Sequence, residues 1–206
     1  VGYRITSPFL QQNTYVMVDT AHASAIVVDP GVKCFEAVEL ILRQFCCRLE
    51  YVFLTHEHYD HIGSINELRE AFECKLVASA VSSSRLTDAR QNLSIFYDTG
   101  GYVAEPADIL ICGFYESIPW LQSDVHVFCT PGHTNGCLCV YLLGHLFTGD
   151  TLIKGEKTVV KLPGGNGLLL SDSLEFIFTT FSPDTILHPG HGESLLLRDT
   201  LPQIHL

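Results

Sequence analysis

The feature that most constrains this chain is a seven-residue polar segment, Thr-His-Glu-His-Tyr-Asp-His at residues 55–61, set between two apolar patterns. A short β-rich run at 51–54 precedes it, and apolar residues at helical spacing follow it from Ile62 to Phe72. A further strand pattern at 75–79 completes a strand-helix-strand unit, which is typical of parallel pairing. The polar segment is therefore expected at the carboxyl end of a strand, where open α/β sheets bind ligands.

The rest of the chain alternates short β-rich runs with two helical patterns, and the strands after residue 109 read as hairpins of a second sheet. Ser171 is the expected start of the second helix. The segment 81–101 has only weak periodicity, so no element is predicted there. No shift in composition marks a linker, and we predict one domain over 1–206. The predicted strands are 13–18, 25–28, 51–54, 75–79, 109–112, 125–129, 137–143, 146–148 and 185–188, and the predicted helices are 35–45 and the segments from 62 and from 171.

Composition excludes several classes of protein. With 12 Lys and Arg against 23 Asp and Glu, the net charge is -11, which repels phosphate backbones and anionic lipids. We therefore expect a small-molecule substrate, no nucleic-acid partner and no membrane partner. No apolar stretch approaches the roughly 18 residues of a membrane span, and without a signal-like start a cytoplasmic location is expected. The eight cysteines lack metal-knuckle spacing and are predicted to be free, mostly buried thiols.

Three histidines and an aspartate crowd into the six residues from His56 to His61. His56 and His58, two apart on an extended loop, can point their rings the same way. Asp60 and His61 come as the chain turns into the helix and face a neighbouring point. Imidazole and carboxylate are ligands for zinc, iron and manganese, and this spacing suits two adjacent ions better than one.

Three further residues of ligand type each follow a predicted strand: His133, Asp150 and His191. Asp29, in the turn Asp-Pro-Gly, is a candidate to hydrogen-bond a metal-binding histidine. Other residues near the motifs are given structural roles. We expect Glu57 and Tyr59 to point away into packing, Lys161 to be solvated and His188 to be a hydrogen-bonded histidine at a strand end.

The pattern His56-x-His58-x-Asp60-His61, followed by His133, Asp150 and His191, resembles the metallo-β-lactamase-fold hydrolases. The resemblance extends to Asn-Thr-Tyr at 13–15, Asp-Pro-Gly at 29–31 and Leu-Pro-Gly-Gly at 162–165, so it covers nearly the whole chain. It implies an α/β fold of four layers, an αβ/βα sandwich of two packed mixed sheets with helices outside.

The resemblance also implies roles for the donors. His56, His58 and His133 would bind one metal ion, Asp60, His61 and His191 a second, and Asp150 would bridge the two. The cofactors implied are two divalent ions, zinc before iron or manganese. A hydroxide between them would attack a carbonyl, and Asp60 is the candidate catalytic residue because it can orient that nucleophile and assist proton transfer.

Asp150 bears on the branch of the family, since true β-lactamases typically carry Cys or Ser at the bridging position. An aspartate there resembles the glyoxalase II (hydroxyacylglutathione hydrolase) branch of thioesterases and lactonases, and most of all its short single-domain bacterial members. Only 15 residues follow His191, so no glutathione-gripping helical domain is expected. Residues 158–161 read Thr-Val-Val-Lys where the branch usually has Gly-Arg-Thr-Asp, which leaves the substrate open.

The sequence therefore predicts a binuclear metal-dependent hydrolase of a small thioester or ester. Two alternatives stay open. One is an oxidoreductase resembling persulfide dioxygenases, with a single iron at the positions of His56, His133 and Asp150. The other is a non-catalytic binding protein that keeps the metal pocket. Oxygen uptake with a glutathione persulfide would identify the first, and binding of product-like acids without turnover would identify the second.

Overall fold

The computed structural model of the chain describes residues 2–155 and 157–200, which fall into two compact units divided between Leu110 and Ile111. Each unit is of the α/β class, with one mixed six-stranded sheet and its own helices. The predicted single domain over 1–206 stays a prediction.

In the first unit the strands lie in the sheet in chain order. The first three pair antiparallel, and the third, fourth and fifth pair parallel, as the strand-helix-strand pattern predicts. The strands are β1 Gly2–Thr6, β2 Asn13–Asp19, β3 Ser24–Val28, β4 Arg48–Phe53, β5 Lys75–Ser79 and β6 Ile109–Ile111. The helices are α1 Phe35–Gln44, α2 Tyr59–Ile62, α3 Ile65–Ala71 and α4 Ala80–Leu86.

The core of the first unit explains this order. Every residue of β3 is buried, as expected for a strand inside a sheet with parallel pairing. The predicted helical stripe of α1 buries Val38 and Leu42 against the sheet, and Ile65 and Leu68 of α3 do the same. The long apolar interior holds the carboxyl end of β4, and therefore the polar segment after it, in a fixed position.

The second unit also keeps its strands in chain order, from β7 at one edge to β12 at the other. Hairpins join the strands from β7 to β10, as predicted for β8, β9 and β10, whereas β10 and β11 pair parallel. The prediction that 109–112 belongs to the second sheet is wrong, because this strand is β6 at the edge of the first sheet. The strands are β7 Tyr115–Trp120, β8 Ser123–Cys129, β9 Leu138–Leu142, β10 His145–Gly149, β11 Ile186–Pro189 and β12 Leu195–Leu196, and the helix is α5 Gly167–Thr180. The helix α5 lies in the crossover connection between the parallel strands β10 and β11.

The start of α5 corrects one prediction. The helix begins four residues before Ser171, and Asn166 is its N-cap: the Asn166 side-chain oxygen accepts hydrogen bonds from the amides of Leu168 and Leu169. The sequence hides this start, because Leu168 is apolar but does not belong to the buried stripe of the helix. Its side chain is 80% exposed. Ile177 packs into a core with Leu146 and Leu187.

The strands β1, β7 and β12 and the helix α4 are among the elements that the sequence did not predict. β1 is a short edge strand that alternates exposed and half-buried residues, and β7 contains Pro119, which argues against a strand in sequence. α4 contains three serines, but Ser79 caps it by accepting a hydrogen bond from the amide of Ser82. All eight cysteines are free, as predicted. Among the described residues no helix is long and apolar enough to cross a bilayer.

Candidate metal centre

Four of the predicted donors lie on one loop and one helical turn of the first unit. β4 ends at Phe53, and the chain passes through His56 and His58 before α2 begins. His56 is fully buried and His58 is nearly so. The Nε2 of His56 lies 3.1 Å from the Nδ1 of His58, so the two rings direct neighbouring nitrogens to one point. This is the orientation that their spacing predicts.

Asp60 and His61 occupy the first turn of α2. The Asp60 Oδ2 lies 3.6 Å from the Nε2 of His61. The ring centroids of His56 and His61 are 4.1 Å apart, and the two rings offer ligand atoms within 4.8 Å of one another. The second pair of donors therefore lies beside the first, as the sequence predicts.

Asp29 orients His61. The Asp29 Oδ2 lies 2.9 Å from the Nδ1 of His61, and its carboxylate also accepts hydrogen bonds from the amide and hydroxyl of Thr55, at 2.7 and 2.6 Å. A carboxylate on Nδ1 holds that nitrogen as a donor, so the Nε2, on the side of Asp60, is the nitrogen suited to a metal. The prediction that Asp29 hydrogen-bonds a candidate ligand is confirmed.

Glu57, between His56 and His58, faces the other way. Its fully buried carboxylate forms an ion pair with the guanidinium of Arg85 and accepts a hydrogen bond of 2.7 Å from the hydroxyl of Ser82. Both partners lie on α4, the helix that the sequence did not predict. Glu57 thus connects the donor loop to a neighbouring helix, as expected for a residue that points into packing.

The other three donors lie in the second unit, each on a loop after a strand. His133 follows β8, Asp150 follows β10 and His191 follows β11. The Asp150 Oδ2 lies 3.6 Å from the Nε2 of His133 and 3.7 Å from the Nε2 of His191. One carboxylate oxygen therefore faces both imidazoles.

The loop that carries His133 is packed closely. Gly132 before it has no room for a side chain, since a Cβ would lie 2.4 Å from the Cα of Leu170. The backbone carbonyl of Val159 lies 2.7 Å from the Nδ1 of His133, so the ring keeps Nε2 towards Asp150. A backbone carbonyl carries no sequence signal, and the role of Val159 was not predicted.

The donor chemistry and the spacing fit metal ions. Two ligand atoms bound to one tetrahedral zinc ion, at about 2.0–2.2 Å from it, lie about 3.4 Å apart. Within each unit the facing donor atoms are 3.1 to 3.7 Å apart. Neutral imidazole nitrogens and carboxylate oxygens are the ligand set for zinc, iron or manganese. Both donor sets are thus arranged for divalent metal ions.

Three further residues near the motifs, His188, Lys161 and Tyr59, have structural surroundings. His188 is hydrogen-bonded, as predicted: its Nε2 lies 2.8 Å from the Nδ1 of His145, and its Nδ1 lies 2.9 Å from the hydroxyl of Ser194. Lys161 is exposed, as predicted. Tyr59 is half-buried and contacts other aromatic rings.

Comparison with known proteins agrees with this site. The chain is 29% identical to the probable metallo-hydrolase YqgX of Bacillus subtilis, with 89% of this chain and 86% of that protein covered. It is 27% identical to the probable polyketide biosynthesis zinc-dependent hydrolase PksB of the same species, with coverages of 86% and 72%. Among solved structures, the BLEG-1 B3 metallo-beta-lactamase matches with a TM-score of 0.90 at 27% identity, over 98% of this chain and 97% of that one.

The expected fold class is confirmed by that structural match. The family model of the metallo-beta-lactamase superfamily matches residues 7–198, a span that contains all seven candidate ligands. With the donors grouped in metal-binding geometry in each unit, the chain belongs to the metallo-beta-lactamase superfamily.

Proposed function

We propose that this protein is a binuclear metal-dependent hydrolase that cleaves a thioester or ester of a small molecule. By its resemblance to the family's bridging ligand, Asp150 would bind both ions. The observation that carries the proposal is the spacing of 3.1 to 3.7 Å between facing donor atoms within each unit. The proposed ligands are His56, His58 and His133 for one ion, Asp60, His61 and His191 for the other, and Asp150 for both.

Two bound divalent ions would supply a Lewis acid for the carbonyl oxygen and a water molecule of lowered pKa. The protein fixes the orientation of the ligand side chains. Asp29 and the carbonyl of Val159 hold the rings of His61 and His133 by their Nδ1 atoms. The carboxylate of Asp60 is an acceptor that can hold a proton of the attacking water and orient it, which is the role of a general base.

The choice of a thioester or ester rests on Asp150, and the names of relatives support a hydrolase. An aspartate at the bridging position resembles the glyoxalase II branch, and the relatives YqgX and PksB are described as a probable metallo-hydrolase and a probable zinc-dependent hydrolase. The match to BLEG-1 makes a β-lactam the necessary comparison substrate. We expect hydrolysis of thioesters to exceed that of a chromogenic cephalosporin.

The first experiment measures metal content per chain by elemental mass spectrometry, on protein purified without a chelating tag. The proposal expects about two ions per chain, mostly zinc, and release of thiol from a panel of acyl thioesters. One iron per chain, with oxygen uptake on addition of a glutathione persulfide, would overturn it in favour of an oxidoreductase. Metal binding with affinity for carboxylic acids and no turnover would show a binding protein instead.

Substitutions assign the activity to these residues. Asp60→Ala and His133→Ala, one from each unit, are expected to lose most of the hydrolysis and bound metal while the far-ultraviolet spectrum stays that of the parent. His22→Ala is the matched control, because His22 is an exposed histidine that pairs only with Asp19 among the contacts of its ring. Full activity in either ligand variant would contradict the proposed centre.

A further inference from the structure

A group of aromatic side chains lies on two loops of the first unit and on the first turn of α2. Phe9 lies in the turn between β1 and β2, and Tyr97 follows the 3-10 turn Ser94–Phe96 after α4. The ring of Phe9 contacts both Tyr97, at 5.1 Å between centroids, and Tyr59, at 5.5 Å. Tyr59 and Tyr97 stack at 6.5 Å. We call Phe9, Tyr59 and Tyr97 the aromatic wall.

The wall is partly open to solvent, since Phe9 and Tyr59 are half-buried and Tyr97 is exposed. Tyr97 is 56% exposed, and the neighbouring apolar residues Leu10 and Phe96 on the same two loops are 49% and 75% exposed. Soluble proteins rarely leave a group of large apolar side chains together on the surface unless it binds something.

The wall is attached to the candidate metal centre. Tyr59 lies between the proposed ligands His58 and Asp60, and its amide donates a hydrogen bond of 2.9 Å to the carbonyl of Asn92, at the base of the Tyr97 loop. The other loop ends at Gln12, whose side-chain amide donates to the carbonyl of Asp29 at 3.0 Å. The Tyr97 loop is therefore fixed to the backbone that carries the donors, and the Phe9 loop to Asp29, the residue that orients His61.

The loops also hold strained backbone. Leu10, Gln11 and Leu93 have φ values of 52°, 55° and 67°, in the left-handed region that ordinary residues seldom adopt. Such conformations cost free energy and cluster at binding and catalytic sites. The strain lies in the two segments that present Phe9 and Tyr97.

The chemistry of the wall favours an uncharged apolar group. Phe9 is a pure hydrocarbon ring, and the carboxylate of Asp98 belongs to the residue after Tyr97. The same carboxylate disfavours an anionic group beside it. We infer that the aromatic wall binds an alkyl or aryl group of the substrate, so that the proposed hydrolase acts on thioesters or esters with an apolar chain near the scissile carbonyl.

This inference rests on the proposed function, and kinetics on two substrate series tests it. In one series the acyl chain grows from acetyl to hexanoyl on a fixed polar thiol, and in the other the thiol's alkyl chain grows on a fixed acetyl group. We expect kcat/KM to rise about two- to fourfold per methylene in one series, as partial to full burial of each methylene implies. The series that shows the rise identifies the acyl or the thiol side.

Variants test whether the rise of kcat/KM with chain length depends on the aromatic wall. Tyr97→Ala is expected to lower kcat/KM about tenfold for the longest favoured substrate and less than about twofold for the shortest, since only the long chain reaches the ring. Tyr97→Phe keeps the ring and should behave as the parent. Tyr115→Ala, a tyrosine of similar exposure on β7 of the second unit, is the matched control. Equal effects of Tyr97→Ala on long and short chains would overturn the inference.

Calorimetry separates this inference from the proposed function. Binding of the carboxylic acids from acetate to hexanoate requires no turnover. A chain-length dependence of Kd that disappears in Tyr97→Ala supports the wall even if no thioester is hydrolysed. Hydrolysis without any dependence on chain length in either series would overturn the wall and leave the hydrolase standing. If the kinetic series place the wall on the acyl side, Kd values that do not change with the chain length of the acid would also overturn it.

Discussion

The two units assemble their donors in different ways. The first unit takes four from one stretch of six residues, and a buried carboxylate, Asp29, and a buried ion pair, Glu57 with Arg85, hold that stretch. The second takes three from loops far apart in sequence, where the orienting group on His133 is a loop carbonyl. We conclude that side chains hold the donors of the first unit in place, so that mutation can test them. The donors of the second unit are held by the backbone at the ends of strands.

The largest expected effect compares one donor from each set. His56→Ala removes a fully buried ring that lies against both His58 and His61, so it should disturb both proposed ions and lower kcat/KM by about a thousandfold or more. His191→Ala removes a ring whose side chain is 22% exposed and whose Nε2 lies 3.7 Å from the Oδ2 of Asp150. Hydrolysis assays and metal analysis of the two variants should show the smaller loss for His191→Ala, and an equal loss would break the comparison.

The next effect is on stability. Glu57→Ala leaves the guanidinium of Arg85, which is 15% exposed, without its carboxylate partner, and should lower the free energy of unfolding by about 3 kcal/mol. Asp184→Ala, in the second unit, breaks an exposed pair with Arg198 and should cost less than about 1 kcal/mol. Urea unfolding of both variants tests whether a buried pair supports the first donor set. A change of similar size in the two variants would remove that distinction.

A smaller effect concerns metal affinity. Asp29→Asn keeps the shape of the side chain but removes the negative charge of the carboxylate that contacts the Nδ1 of His61. The substitution should weaken metal binding by about 10- to 100-fold. Competition with a chromogenic chelator measures this change. The matched control is Asp19→Asn, which alters an exposed aspartate beside His22. Unchanged affinity in Asp29→Asn would show that the carboxylate does not tune the first set.

The smallest effect distinguishes the units by pH. Burial lowers the pKa of His145, in the second unit, below its ordinary value of 6.5. Because the folded-state pKa is lowered, the unfolded chain takes up the proton first as the pH falls. The contribution of His145 to the free energy of unfolding is therefore present above pH 6.5 and is lost as the pH falls through the folded pKa. His145→Phe should reduce the loss of thermal stability on acidification from pH 7 to pH 5. A stability difference between variant and parent that is constant over this range would exclude the effect.

Several elements could be predicted because their signals are local. β5 appears at its predicted residues, and the helical stripe of α1 ends within one residue of the prediction. α4 and β7 could not be predicted in the same way. The serines of α4 become helical because Ser79 caps it, and Pro119 is tolerated because β7 lies at a sheet edge.

By itself the sequence indicated the seven candidate donors and the strand ends that carry them, because metal binding needs particular atoms and short motifs contain the residues that supply them. Only the tertiary structure decided how the donors are oriented. The turn of Glu57 towards Arg85, the contact of Asp29 with His61 and that of the Val159 carbonyl with His133 join residues 26 to 32 positions apart. Such contacts form when the packed sheets fix the loops, and no local pattern of residues encodes them.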